Sequence, residues 1–186
     1  MAVSRNASEL PAASVRVPAY DIRTMTTAYG AIELYSRDPG SIVALAGRYF
    51  LQLSRHGQGS MTIVSQSNRA VADLASRHEK FGWITIIEPE ADLSLPADVK
   101  NGFNALVKRY SNRISGAAIV FEKTGFHAVA VRSLVTAINV ASRATHPNRV
   151  FSDVREAVSW VNKLTGGEPS VAGLAHIIQQ LRSVPG

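Results

Sequence analysis

The sequence predicts a single small α/β domain, a mixed sheet of four to five strands covered by about four helices, with one further helix at the C-terminus. Three observations carry that reading. From Trp83 to Leu164, short apolar runs of strand length alternate with longer runs whose apolar residues recur three and four apart. Two of the short runs, WITIIE (83–88) and GAAIVFE (116–122), are apolar on successive residues, as strands buried on both faces are. Finally, 186 residues with 46% apolar content can build one good core but hardly two.

Taken in order, residues 1–28 hold two prolines, many small polar residues and no sustained period, which reads as a flexible leader. AIELYS (31–36) and SIVALA (41–46) are two strands joined by Arg37-Asp38-Pro39-Gly40, a turn in which proline presets one dihedral and glycine accepts positive φ. Between Gly47 and Gly59 the pattern is poor: Tyr49, Leu51 and Leu53 alternate, but His56-Gly57-Gln58-Gly59 interrupts them. A first helix is expected from Ser67 or Asn68 to Gly82, with Val71, Leu74, Ala75 and His78 on one face. After the strand at 83–88, Ser94 and Asp98 mark the start of a second helix whose apolar stripe is Val99, Phe103, Leu106, Val107, Tyr110 and Ile114. The strand at 116–122 leads through Thr124-Gly125 to a third helix over 126–144, apolar nearly all round. Residues 149–151 make a short edge strand. Ser152 or Asp153 caps a fourth helix with Val154, Ala157, Val158, Val161 and Leu164 inward, and Trp160 at the rim of that stripe. The domain so defined covers 29–165, and 166–186 is a linker with a final amphipathic helix.

Composition excludes several function classes. There is no cysteine, hence no disulfide framework, thiolate zinc site or thiol nucleophile. The +6 charge is spread thinly: basic and acidic residues number 6 and 4 over 1–60, 7 and 6 over 61–120, and 7 and 4 over 121–186. A nucleic-acid binder more often gathers such an excess into one patch, so nucleic acid is not the expected partner. The N-terminus lacks the unbroken apolar core of a signal peptide. His127, Arg132 and Arg143 interrupt the most apolar helix, so no membrane insertion is expected and the cytoplasm is the expected location.

Specific chemistry is sparse. Glu88, Glu90 and Asp92 follow a buried strand, where α/β sheets place ligands, and could hold a hard cation, but no phosphate loop or histidine accompanies them and a solvated loop is the simpler reading. The five histidines never fall in metal-ligand spacing. His56-Gly57-Gln58-Gly59-Ser60 lacks the lysine of a phosphate-binding loop and reads as a turn. No catalytic residue, metal or cofactor is therefore expected, and an enzyme is the less expected outcome.

The order of elements, the run WITIIEP and the segment GFHAVAVRSLVTAINVASRATHPNRVFSDVREAVSWVNKL together resemble the STAS group, the fold of anti-sigma-factor antagonists, over about Ala31 to Leu164. The resemblance implies a regulatory module. Phosphorylation-switched members carry an Asp-Ser-Ser/Ala-Gly type turn after the third strand, where this chain has Glu-Pro-Glu-Ala-Asp-Leu-Ser-Leu-Pro, so Ser94 is not transferable as a phosphosite. The leading expectation is a non-enzymatic protein-interaction or regulatory module of STAS-like fold. Its loop or switch would be Glu88, Glu90, Asp92 and Ser94. Its interface, for a protein partner or self-association, would use Arg132, Leu174, Ile178 and Leu181. The alternative is a small-molecule binder or unrecognised enzyme with a pocket near the 88–95 loop.

Overall fold

The computed structural model describes residues 22–92, 94–121 and 145–185. Seven strands form one sheet in sequence order: β1 (Arg23–Thr27), β2 (Gly30–Asp38), β3 (Ser41–Ala46), β4 (Tyr49–Ser54), β5 (Phe81–Ile87), β6 (Ile114–Phe121) and β7 (Asn148–Phe151). Strands β1 to β4 are an antiparallel meander, and β4 to β7 are parallel. The described helices are α1 (Met61–Arg77), α2 (Ala97–Tyr110), α3 (Val154–Thr165) and α4 (Val171–Ser183).

The sheet has seven strands rather than the four to five expected, and the two additions have different causes. Arg23–Thr27 falls within the segment read as a leader. Its residues are mostly exposed, so it has no apolar alternation to betray an edge strand. Tyr49–Ser54 hid for the opposite reason. It lies at the centre of the sheet, buried on both faces, and its polar Tyr49 and Gln52 broke an apolar run that is otherwise continuous.

Each helix has a local reason to start where it does. The α1 helix begins six residues before the expected cap: Ser60 accepts from the Ile63 N–H at 3.4 Å, and Ser67 lies buried inside the helix. For α2, Pro96 rather than Ser94 precedes the first turn, since Ser94 is occupied with Asp92 and Gln58. Asp153 caps α3 as the sequence suggests, accepting from the Glu156 N–H at 2.9 Å. Leu164 is exposed rather than inward. The apolar helix expected over 126–144, including Arg132, lies outside the described residues.

The parallel β4–β5 and β5–β6 connections are crossovers, and the right-handed sense that such connections take accounts for α1 and α2 lying on the same face of the sheet. There they cover Val43, Leu45, Phe50 and Trp83. The chain returns after β7 to lay α3 and α4 over the other face, against Leu51, Leu53, Ile84 and Ile86. Close approach of α3 requires Gly82, where an added Cβ would meet Val161 at 2.6 Å and Tyr49 at 2.8 Å.

That packing changes the meaning of the C-terminal helix. Leu174, Ile178 and Leu181, a candidate interface on a helix expected to dock either on the domain or on a partner, are buried against the chain's own sheet. An amphipathic stripe has the same pattern whether it meets a partner or its own core. Arg55, at the end of β4, holds the far end of α4. Its guanidinium donates to the carbonyls of Leu181, Arg182 and Val184 at 2.6, 2.9 and 2.8 Å, satisfying groups that the helix leaves orphaned and complementing the negative helix end.

Replacing Arg55 by Ala removes all three bonds from a part-buried site and should lower unfolding stability by about 1–3 kcal/mol. Urea denaturation measures the loss. Hydrogen exchange in Val171–Ser183 should accelerate more than in α1, and equal acceleration in both would contradict the capping role.

Candidate functional site

The α1–α2 face is incompletely filled. A cavity of about 180 Å³ lies between the helices and the C-terminal halves of β4, β5 and β6. Its floor follows directly from strand register. Phe50, Trp83, Ala117 and Asn148 are aligned across four strands, and the next row toward the strand ends aligns Gln52, Thr85 and Ile119. Side chains two apart share a face, so both rows look toward α1 and α2. Phe103 and Val107 of α2 and Ile63 of α1 form the opposing wall. The two helices approach closely because Gly102 faces Val64, where a Cβ would sit 2.6 Å from a valine methyl.

Two turns close one end. Gly57 and Ala91 form an isolated parallel bridge. Gln58 donates through Nε2 to Ser94 Oγ at 2.8 Å, and both the backbone N–H and hydroxyl of Ser94 donate to Asp92 Oδ1 at 2.8 Å. Those two bonds hold the Asp92 carboxyl below its ordinary range, the backbone one most strongly. The glycine-rich segment read as a turn is thus a turn with a position, forming the cavity's end wall with the acidic loop.

Among the four loop residues singled out from sequence, the structure brings together Asp92 and Ser94, and Asp92 borders the cavity. Glu88 is drawn toward α4, with Arg182 Nε 3.7 Å from its carboxylate, and Glu90 is exposed. Among the described residues no group of three histidine or carboxylate side chains is placed to hold a metal ion. Nor is any described helix long and apolar enough to cross a membrane.

The polar groups of the cavity were not read from the sequence. Gln52 is 7% exposed, in the central strand, and lines the cavity. Thr85 Oγ1 accepts from Trp83 Nε1 at 2.9 Å, which orients the indole against Phe50 with ring centroids 4.3 Å apart. His146 is 8% exposed, and its Nδ1 lies 3.2 Å from Ser111 Oγ. That hydroxyl in turn receives the Thr145 N–H at 2.8 Å and lies 3.0 Å from the Thr145 hydroxyl. One signal could have found Gln52 and Thr85: each is a polar side chain inside a run otherwise apolar enough to be buried.

The protein is similar in structure to an uncharacterised protein of the DUF3478 family from Shewanella loihica PV-4. That protein has a SpoIIAA-like fold. The two share 16% sequence identity and a TM-score of 0.48, over 68% of this chain and 97% of the other. No family model matches the chain, and no curated protein matches it.

Burial holds the His146 pKa below its usual value of 6.5, outweighing the raising effects of Ser111 and Asn148. The folded state therefore binds its proton more weakly than the unfolded chain, and stability is lost as pH falls below about 6.5. An NMR titration should place the His146 midpoint below 6.5, and His146→Asn should remove that part of the acid-side slope. A midpoint at or above 6.5 would contradict the buried, neutral assignment.

Proposed function

We propose that this protein is a non-enzymatic binding module for a small, predominantly apolar molecule held between the sheet and α1–α2. The observation that carries the reading is the apolar cavity at the C-terminal ends of parallel strands, bordered by a few fixed polar groups. That is where open α/β sheets place ligands, because the turns after the strands converge there. A dry cavity of about 150 Å³ accepts benzene, so the space here suits a molecule of one to two rings or a comparable branched chain.

Binding fits this site better than chemistry. The Ser111–His146 pair has the residue types of a nucleophile and base, but Ser111 Oγ is engaged by Thr145 and stands off the cavity wall. A protein-interaction role through Leu174, Ile178 and Leu181 draws no support from the packing, since those side chains are spent on the internal core. Regulation remains compatible with a ligand site, because a bound molecule that spans α1, α2 and the sheet stabilises the arrangement of all three.

Indole is a suitable first probe. At about ten times its dissociation constant it should add about 1.4 kcal/mol to stability, raising the melting temperature by ~3–6 °C. Ala117→Leu projects a larger apolar side chain from the floor and should abolish the shift while leaving the unliganded protein folded. An undiminished shift in that variant would place indole elsewhere and overturn the proposal.

A further inference from the structure

Resting on the binding-module reading, we infer that the cavity selects a small aromatic molecule whose polar group is uncharged, a carboxamide or hydroxyl, and that Gln52 reads that group. Gln52 lies in the central strand, is 7% exposed, and borders the cavity. Among the described residues no side-chain hydrogen bond to its amide is seen, and its atoms are not among the unpartnered ones sealed from solvent, so its two donors and one acceptor are open to a group in the cavity.

The neighbouring group is also neutral and also incomplete. Thr85, directly across the register from Gln52, accepts the Trp83 indole N–H and so keeps its own hydroxyl proton to donate. Amide and hydroxyl together offer donors and an acceptor side by side, which match a carboxamide or an alcohol. They offer no formal charge. The residues bordering the cavity that can carry charge, Asp92, Lys100 and His146, stand on the turn at 91–92, the first turn of α2 and the segment before β7 rather than on the floor, and burial favours the neutral form of His146. A carboxylate brought down to Gln52 would lose its water without gaining a cation, and burial of an unpaired charge is strongly disfavoured.

Ring character comes from the walls. Trp83 and Phe103 present aromatic surfaces, and Ile63 and Val107 add aliphatic surface beside them. A planar ring stacks against such surfaces with little loss of its own conformational freedom.

The test uses benzamide, benzyl alcohol, toluene and benzoate, which share the ring and differ in the head. Affinities are read by calorimetry and by Trp83 emission in a Trp160→Phe background. Trp160 packs on Phe151 across the sheet from the cavity, so its removal leaves one reporter. Benzamide or benzyl alcohol should bind about tenfold or more tightly than toluene and benzoate. Gln52→Leu should erase the advantage over toluene while toluene affinity is kept or improved, and Thr85→Val should reduce it in the same direction. Benzoate equalling the neutral compounds, or an advantage unchanged in both variants, would overturn the head-group inference while leaving the cavity as a ring site. Failure of all four probes to bind would overturn the binding-module reading itself, and the inference with it.

Discussion

Burial of β4 on both faces is the constraint on which the rest of the structure depends. Its residues Tyr49, Phe50, Leu51 and Leu53 are inaccessible to solvent, and alternate side chains point to opposite layers. Neither layer is optional. The α1 and α2 helices reach one face because right-handed crossovers put them there, and the other face is left for whatever follows β7. That requirement makes α4 part of the domain rather than an appendage. Arg55, at the end of β4 itself, fastens it by its last carbonyls.

The two layers are filled differently, and the difference is where function enters. The α3–α4 side is tight enough that Gly82 and Gly116 have no room for a Cβ beside Val161 and Leu164. On the α1–α2 side the same sheet carries Gln52, Thr85 and Asn148 among its apolar residues, and the helices stand over a cavity. Core packing normally removes such spaces and such groups together, because each void forfeits dispersion contacts and each unmet amide forfeits hydrogen bonds. Their coincidence in one place, at the ends of parallel strands, is what the proposed ligand would account for.

Much of the fold was legible from residue order. The strands at 41–46 and 83–88, the Asp153 cap and the α/β alternation follow from short-range periodicity and capping chemistry, which the structure does not override. What was not legible depends on distance in the sequence. The exposed strand Arg23–Thr27 has no pattern of its own and is defined by pairing with β2. Leu174, Ile178 and Leu181 carry the stripe expected of an interface, and nothing local says that the surface they meet is their own sheet. The site was legible only in outline. Of the four loop residues read from sequence, Asp92 borders the cavity and is bonded to Ser94, but carboxylates draw attention by charge, whereas Gln52 and Thr85 come together only through the register of β4 and β5.

The most direct test of the central claim, that the gap beneath α1 and α2 is a ligand site, is a ¹H–¹⁵N spectrum of the intact protein titrated with benzyl alcohol. The account predicts saturable shifts of the Gln52 side-chain amide, the Trp83 indole N–H and backbone amides of β5 and the start of α2, with α3 and α4 nearly unmoved. Shifts concentrated in α3 and α4, or none that saturate, would contradict it.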